Sequence, residues 1–141
     1  MSGIIGGAGS KSGVIGETEL DYEEGVFTPV PNTGSIGVIS QNRYRKIGGM
    51  CFIECYMGNV PSFTYITGLP FPTKPTGTGY ENSSGTVTGN AANWHNNTVN
   101  ISVYIYDNKI YFYQTLDDGN QTAKTSWDSG DDLAFSLSYM C

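Results

Sequence analysis

The chain is short of charge, and shortest of basic charge. Asp, Glu, Lys and Arg make up 14% of its 141 residues, and 13 acidic residues against 7 Lys and Arg leave a net charge of −6. A general nucleic-acid binder needs a basic stripe to displace counterions, so that class is excluded. The one basic cluster, Arg43, Arg45 and Lys46, alternates along an expected strand and reads as a solvated strand face. No apolar run reaches the roughly 18 residues of a membrane span, so no membrane insertion is expected. Helix-forming residues are scarce, and no long stretch keeps a 3.6-residue period. Histidine occurs once, at His95. A Ser-His-Asp triad would have to use it, with Ser126 and Asp128 as candidate partners, and nothing in the sequence fixes that geometry. Cysteine is limited to Cys51, Cys55 and Cys141. The first two share one face of an expected strand, about 13 Å apart at 3.3 Å per residue, beyond disulfide reach. They read as small buried hydrophobes of a protein made in a reducing cytoplasm. The four-ligand spacing of a zinc site is missing, and no metal or other cofactor is expected.

Glycine (19 residues) and tyrosine (10 residues) are what the chain has in abundance. With few charges and many aromatics, this is the profile of an all-β protein rather than a disordered one. Residues 101–114, ISVYIYDNKIYFYQ, organise it. They predict a β-hairpin turning at Asp107-Asn108, in which Tyr106 faces Lys109, Ile105 faces Ile110, Tyr104 faces Tyr111 and Val103 faces Phe112. Facing residues share a side of the sheet, so Val103, Ile105, Ile110 and Phe112 form an apolar face. Tyr104, Tyr106, Tyr111 and Tyr113 form the other. That second face is too aromatic for bare solvent and too polar-tipped for a deep interior. Subunit packing is the expected use, with another segment of the chain or a ligand contact as the alternatives.

The remaining chain divides into an arm, residues 1–20, and a head, residues 21–141. Two related units, Ser2-Gly3-Ile4-Ile5-Gly6 and Ser12-Gly13-Val14-Ile15-Gly16, each set an apolar pair between glycines. Such a segment cannot bury its own pair and orders only against a partner, so Ile4, Ile5, Val14 and Ile15 are the candidate docking residues. A disordered tail is the alternative. The arm lacks the charged and continuous apolar regions of a signal peptide. Residues 17–25, ETELDYEEG, read as an acidic connector, 26–30 as an edge strand, and 36–40 and 42–47 as two strands. Apolar residues on both faces make 50–57 a central strand. A strand is expected near 85–89, a polar loop holding Trp127 across 115–132, and a closing strand from 133 with Leu133, Phe135, Leu137 and Tyr139 inward. The expected fold is an antiparallel β-sandwich, jelly-roll-like, with an extended glycine-rich N-terminal arm.

Asp21-Tyr22-Glu23-Glu24-Gly25-Val26-Phe27-Thr28-Pro29 resembles the DYEEGTWTP signature of tailed-phage tail-fibre and receptor-binding proteins. Arg43-Tyr44-Arg45-Lys46-Ile47-Gly48 is similar to their G-Y-x-K-I-G strand, and Ile66-Thr67-Gly68-Leu69-Pro70-Phe71 to their I-x-G-L-P-F segment, in the same order. Val26-Phe27 stands where Thr-Trp is usual, and Asn42 replaces a glycine. The resemblance implies a virion structural protein, a homotrimer with β-sandwich heads that touch the host surface, and no enzymatic activity. Here only twenty residues precede the head, which suggests a short appendage whose arm plugs into a tail or capsid protein.

Sugars present C–H faces that pack on aromatic rings and hydroxyls that bond amides and carboxylates. Trp94, His95 and Asn96 in one expected loop, and Trp127 and Asp128 in another, are therefore the candidate glycan contacts. Either tryptophan could instead fold back over the core. Asp117, Asp118, Asp128, Asp131 and Asp132 read as solvated turn residues, with calcium ligands or a glycosidase pair as alternatives. The functional expectation is a short phage fibre contacting host-surface polysaccharide or protein. The rivals are a capsid-mounted head fibre or decoration protein without a receptor role, and a free carbohydrate-binding module.

Overall fold

The computed structural model describes residues 21–75, 77, 83–90, 97–124, 127, 128 and 130–141. Among these residues the regular structure is all strand: β1 (Tyr22–Val26), β2 (Val30–Pro31), β3 (Val38–Ile47), β4 (Met50–Gly58), β5 (Ile66–Thr67), β6 (Ser83–Asn90), β7 (Thr98–Tyr106), β8 (Lys109–Leu116), β9 (Gln121–Ala123) and β10 (Asp132–Met140). They form two antiparallel sheets. The first has the order β1-β3-β4-β10-β6, and the second β2-β5-β8-β7, with β9 on β8. The fold is a β-sandwich. The arm residues Ile4, Ile5, Val14 and Ile15 lie outside the described residues.

Each sheet feeds the core from alternate positions, as the period of two requires. The closing strand β10 runs down the middle of the first sheet, with Leu133, Phe135, Leu137 and Tyr139 buried. Its neighbour β4 buries Cys51, Ile53, Cys55 and Met57 in register with them. From the second sheet come Val103, Ile105, Ile110 and Phe112 of the β7–β8 hairpin, and Ile66 of β5. The hairpin has the register expected of it, from Tyr106↔Lys109 to Val103↔Phe112. Asp107 and Asn108 both take positive φ, 50° and 57°, the geometry that a tight two-residue turn needs and that Asp and Asn tolerate. Where the sheets meet, the Ile105 amide donates to Ser83 Oγ at 3.0 Å.

Four expectations about the connections need correction. The acidic connector is a strand over Tyr22–Val26, because β3 beside it is basic: Glu23 pairs with Lys46 and Glu24 with Arg45 across the ladder. The edge strand expected over 26–30 is divided. Phe27 turns into the core, its amide donating to the Asn42 carbonyl at 3.0 Å, and Val30–Pro31 joins the other sheet. The two strands expected over 36–47 are one strand, β3, carrying a bulge between Ser40 and Arg43 where Gln41 adopts φ 54°. The loop after β8 turns back as β9 before reaching Trp127.

The three segments that carry the family resemblance pack into one corner. The first two are β1 and β3 paired edge to edge, with Lys46 ion-paired to Asp21 and Tyr44 Oη donating to Glu23 Oε1 at 2.7 Å. Gly25 leaves room for the Tyr44 ring, whose atoms would stand 2.8 Å from any Cβ there. The third brings Phe71 edge-on to Tyr44, ring centroids 5.4 Å apart. Gly68 (φ 92°) lies against the Thr28 carbonyl, which would be 2.1 Å from a Cβ.

Candidate functional site

The outward face of the first sheet is built from the residues that alternate with its core positions. On β3 these are Arg43 and Arg45, two residues apart and so about 6.6 Å along one face. Opposite them on β4 stand Glu54 and Phe52, and beyond these on β10 stand Ser136 and Ser138. Thr86 of β6 completes the row, its hydroxyl 2.9 Å from Ser136 Oγ. Together they line an open groove of about 470 Å³. Phe52 is 44% exposed on its floor. The chain has two arginines, and both line this groove. Neither takes part in an ion pair among the described residues. Among those residues the Glu54 side chain also takes no hydrogen bond, although it faces Arg43 across the ladder. Glu24, the partner of Arg45, accepts instead from Tyr22 Oη at 2.6 Å. That bond is the largest reason the Tyr22 pKa is raised, and Arg45 opposes it.

Lys46 belongs elsewhere. It points to the opposite side of β3, over the Phe71 ring at 5.5 Å, and its pKa is raised chiefly by its bond to Asp21. The basic cluster seen in sequence is thus a pair of arginines on one face and a lysine on the other.

The outward face of the second sheet carries the expected tyrosines as a packed ladder. Tyr104 stacks on Tyr111 at 5.6 Å, Tyr113 meets Tyr104 edge-on at 5.2 Å, and Tyr106 meets Tyr111 at 6.3 Å. Tyr65 extends the ladder at 5.7 Å from Tyr111, with the Lys109 ammonium 5.4 Å above its ring. Tyr65 was missed in sequence, although it directly precedes Ile66, which pairs with Ile110. Burial among these rings is the main cause of the raised Tyr111 pKa.

Of the candidate glycan contacts, Trp94, His95 and Asn96 lie outside the described residues. Trp127 is placed differently from a solvent-facing contact. It is 4% exposed, stacked on Phe63 at 5.1 Å and edge-on to Phe112 at 6.0 Å, with Lys124 Nζ 5.2 Å from its ring. The ring closes the core and is not available to a sugar. Its loop was legible as polar, but the apolar gap it fills is made by Phe63 and Phe112, far away in sequence. Burial pulls the Lys124 ammonium below the ordinary lysine value, against the pull of Asp131 and Asp128. Asp128 is exposed, and its amide donates to the buried Asp131 at 2.8 Å.

The carboxylates of this region organise the local chain. Asp118 accepts from the Asn120 amide at 2.9 Å, and Asp132 from the Asn59 amide at 3.3 Å. Among the described residues no three His, Cys, Asp or Glu side chains converge as metal ligands would. The three cysteines are free thiols. Burial pushes the Cys55 thiol up to about 12 and is the largest of the effects raising Cys51 and Tyr139. These groups are buried wall, not reactive centres.

No family model, curated protein or solved structure matches this chain. The candidate site therefore stands on its own chemistry. An aromatic floor, two guanidinium groups, a carboxylate with open acceptor positions and a row of hydroxyls give this surface groups that can contact a polar ligand.

Proposed function

We propose that the chain is a virion structural protein, a short phage fibre or appendage whose head contacts host-surface glycans. The observation that carries the reading is the groove on the first sheet. An exposed phenyl ring lies among guanidinium, carboxylate and hydroxyl groups, which is the mixture a saccharide needs. Further support comes from the segments that resemble phage fibre proteins, which pack on one another at a single corner of the sandwich. In this proposal the heads form a homotrimer through the tyrosine ladder, and the N-terminal arm docks the trimer to a tail or capsid protein. A single head binds sugar weakly, and three on one axis gain avidity.

The test uses the purified full chain on an array of bacterial surface polysaccharides, with sedimentation run in parallel. Saturable binding that free oligosaccharide competes away, by a trimer, is the expected result. Absence of binding to every polysaccharide would overturn the glycan role, and a stable monomer would overturn the assembly. Antibody label on particles then separates the docking sites: tail label supports a fibre, and capsid label supports a decoration protein.

A further inference from the structure

We propose that the groove selects a carboxylated saccharide, a sugar acid whose carboxylate is held between Arg43 and Arg45 while its ring lies on Phe52. This rests on the glycan-contact reading and adds the class of ligand. The chain is acidic, at −6, yet both of its arginines line this one groove, free of ion pairs among the described residues. Arg43 and Arg45 alternate on one strand face, Arg45 also interacting with the Tyr22 hydroxyl, and they give this face guanidinium donors for a carboxylate, which no other described surface offers. Phe52, nearly half exposed, sits beside Arg45 on the next strand and presents a flat apolar floor.

The rest of the lining excludes simpler anions. Glu54 projects into the same groove and takes no hydrogen bond there among the described residues. It would repel a polyphosphate or a run of acidic residues, but it accepts from sugar hydroxyls. The hydroxyls of Thr86 and Ser136 add further donors and acceptors across the groove. On the groove floor a peptide would lack its usual means of attachment, since the sheet ends only at the rim strand β6. β3, β4 and β10 are each paired on both sides, so the groove floor has no free strand edge to augment. A ligand with one carboxylate, several hydroxyls and an apolar ring face satisfies every group present.

The test measures equilibrium binding of the full chain to methyl galacturonoside, methyl glucuronoside and sialyllactose, each with a single carboxylate and each beside its carboxyl-reduced neutral form. Oligoglutamate is included as an acidic peptide. Carboxylated sugars are expected to bind, with about tenfold or greater loss on carboxyl reduction. Arg43→Ala and Arg45→Ala are each expected to lose about tenfold or more, Arg43→Lys to recover only part, and added salt to weaken binding. Phe52→Ala should also weaken binding, by removing the floor. Unchanged melting of the arginine variants keeps a folding defect from mimicking the result. If neutral forms bind as well as acidic ones, or the arginine variants bind saccharide as well as the parent, this inference fails and the glycan reading stands. If oligoglutamate binds more tightly than any saccharide, the ligand class is a peptide and the inference fails. If no saccharide binds at all, both fall together.

Discussion

The two sheets cover one core but turn opposite kinds of surface outward. The first shows arginine, glutamate, hydroxyls and one exposed phenylalanine around a groove. The second shows tyrosines that already contact one another, ring to ring, from Tyr65 to Tyr113. The difference separates two ways of leaving aromatic area outside a core. On the second sheet the rings shelter one another, so the face strengthens the fold. On the first sheet Phe52 has no ring partner among the described residues, and the proposed ligand contact is one use for such an exposed ring.

That contrast can be broken by substitution, starting beneath the second sheet. Trp127→Ala removes a buried ring stacked on Phe63, and urea titration should show a loss of about 3–5 kcal/mol. A loss below about 1 kcal/mol would return the tryptophan to the surface and reopen it as a sugar contact.

Alkali probes the core beneath the first sheet. The Cys55 thiol, pushed up to about 12 by burial, stays protonated in the fold when the unfolded chain has already ionised. The native state then binds more protons than the unfolded state between the ordinary thiol value and about 12, so stability must fall as pH rises through that window. Tyr139, also raised by burial, acts with the same sign. About 1–2 kcal/mol should be lost between roughly pH 8.5 and 10, and Cys55→Ala should flatten that slope. A pH-independent urea midpoint over this range would mean that these groups are hydrated.

On the ladder, Tyr111→Ser removes the ring that three others touch and should cost about 1–2 kcal/mol. If subunits pack through this face, the loss will also grow on dilution, because assembly and folding are then linked. A concentration-independent loss would confine the ladder to intramolecular packing.

The smallest change is expected where the contrast is sharpest. Phe52→Ala and Arg43→Ala should each alter stability by less than about 0.5 kcal/mol in thermal or urea unfolding. A larger loss from Phe52→Ala would make that face part of the scaffold and weaken its assignment to a ligand.

Much of the architecture was legible because strand alternation is local. The hairpin register followed from eight residues around Asp107-Asn108, and the inward set of β10 from its alternation alone. Where the sequence misled, a distant partner decided the outcome. Residues 22–25 looked like part of a charged connector until Lys46 and Arg45 came alongside. The bulge at Gln41 could not be told from a strand break, since both put polar residues, here Ser40, Gln41 and Asn42, between two strand-like stretches. Arg43 and Arg45 were placed on an open strand face in sequence, as they are in the fold. The groove became visible only with Thr86 and Ser136 as its far wall.

By itself, the sequence determined the all-β class, the turn of the central hairpin and which side chains of β7, β8 and β10 face inward. These depend on composition and on a repeat of two residues. Tertiary structure alone decided which strands became neighbours, that Trp127 closes the core, and that both arginines share a groove with Phe52 and Glu54. The reason is that sheet neighbours are chosen by hydrogen bonds and packing between residues far apart in the chain, and no local period records those choices.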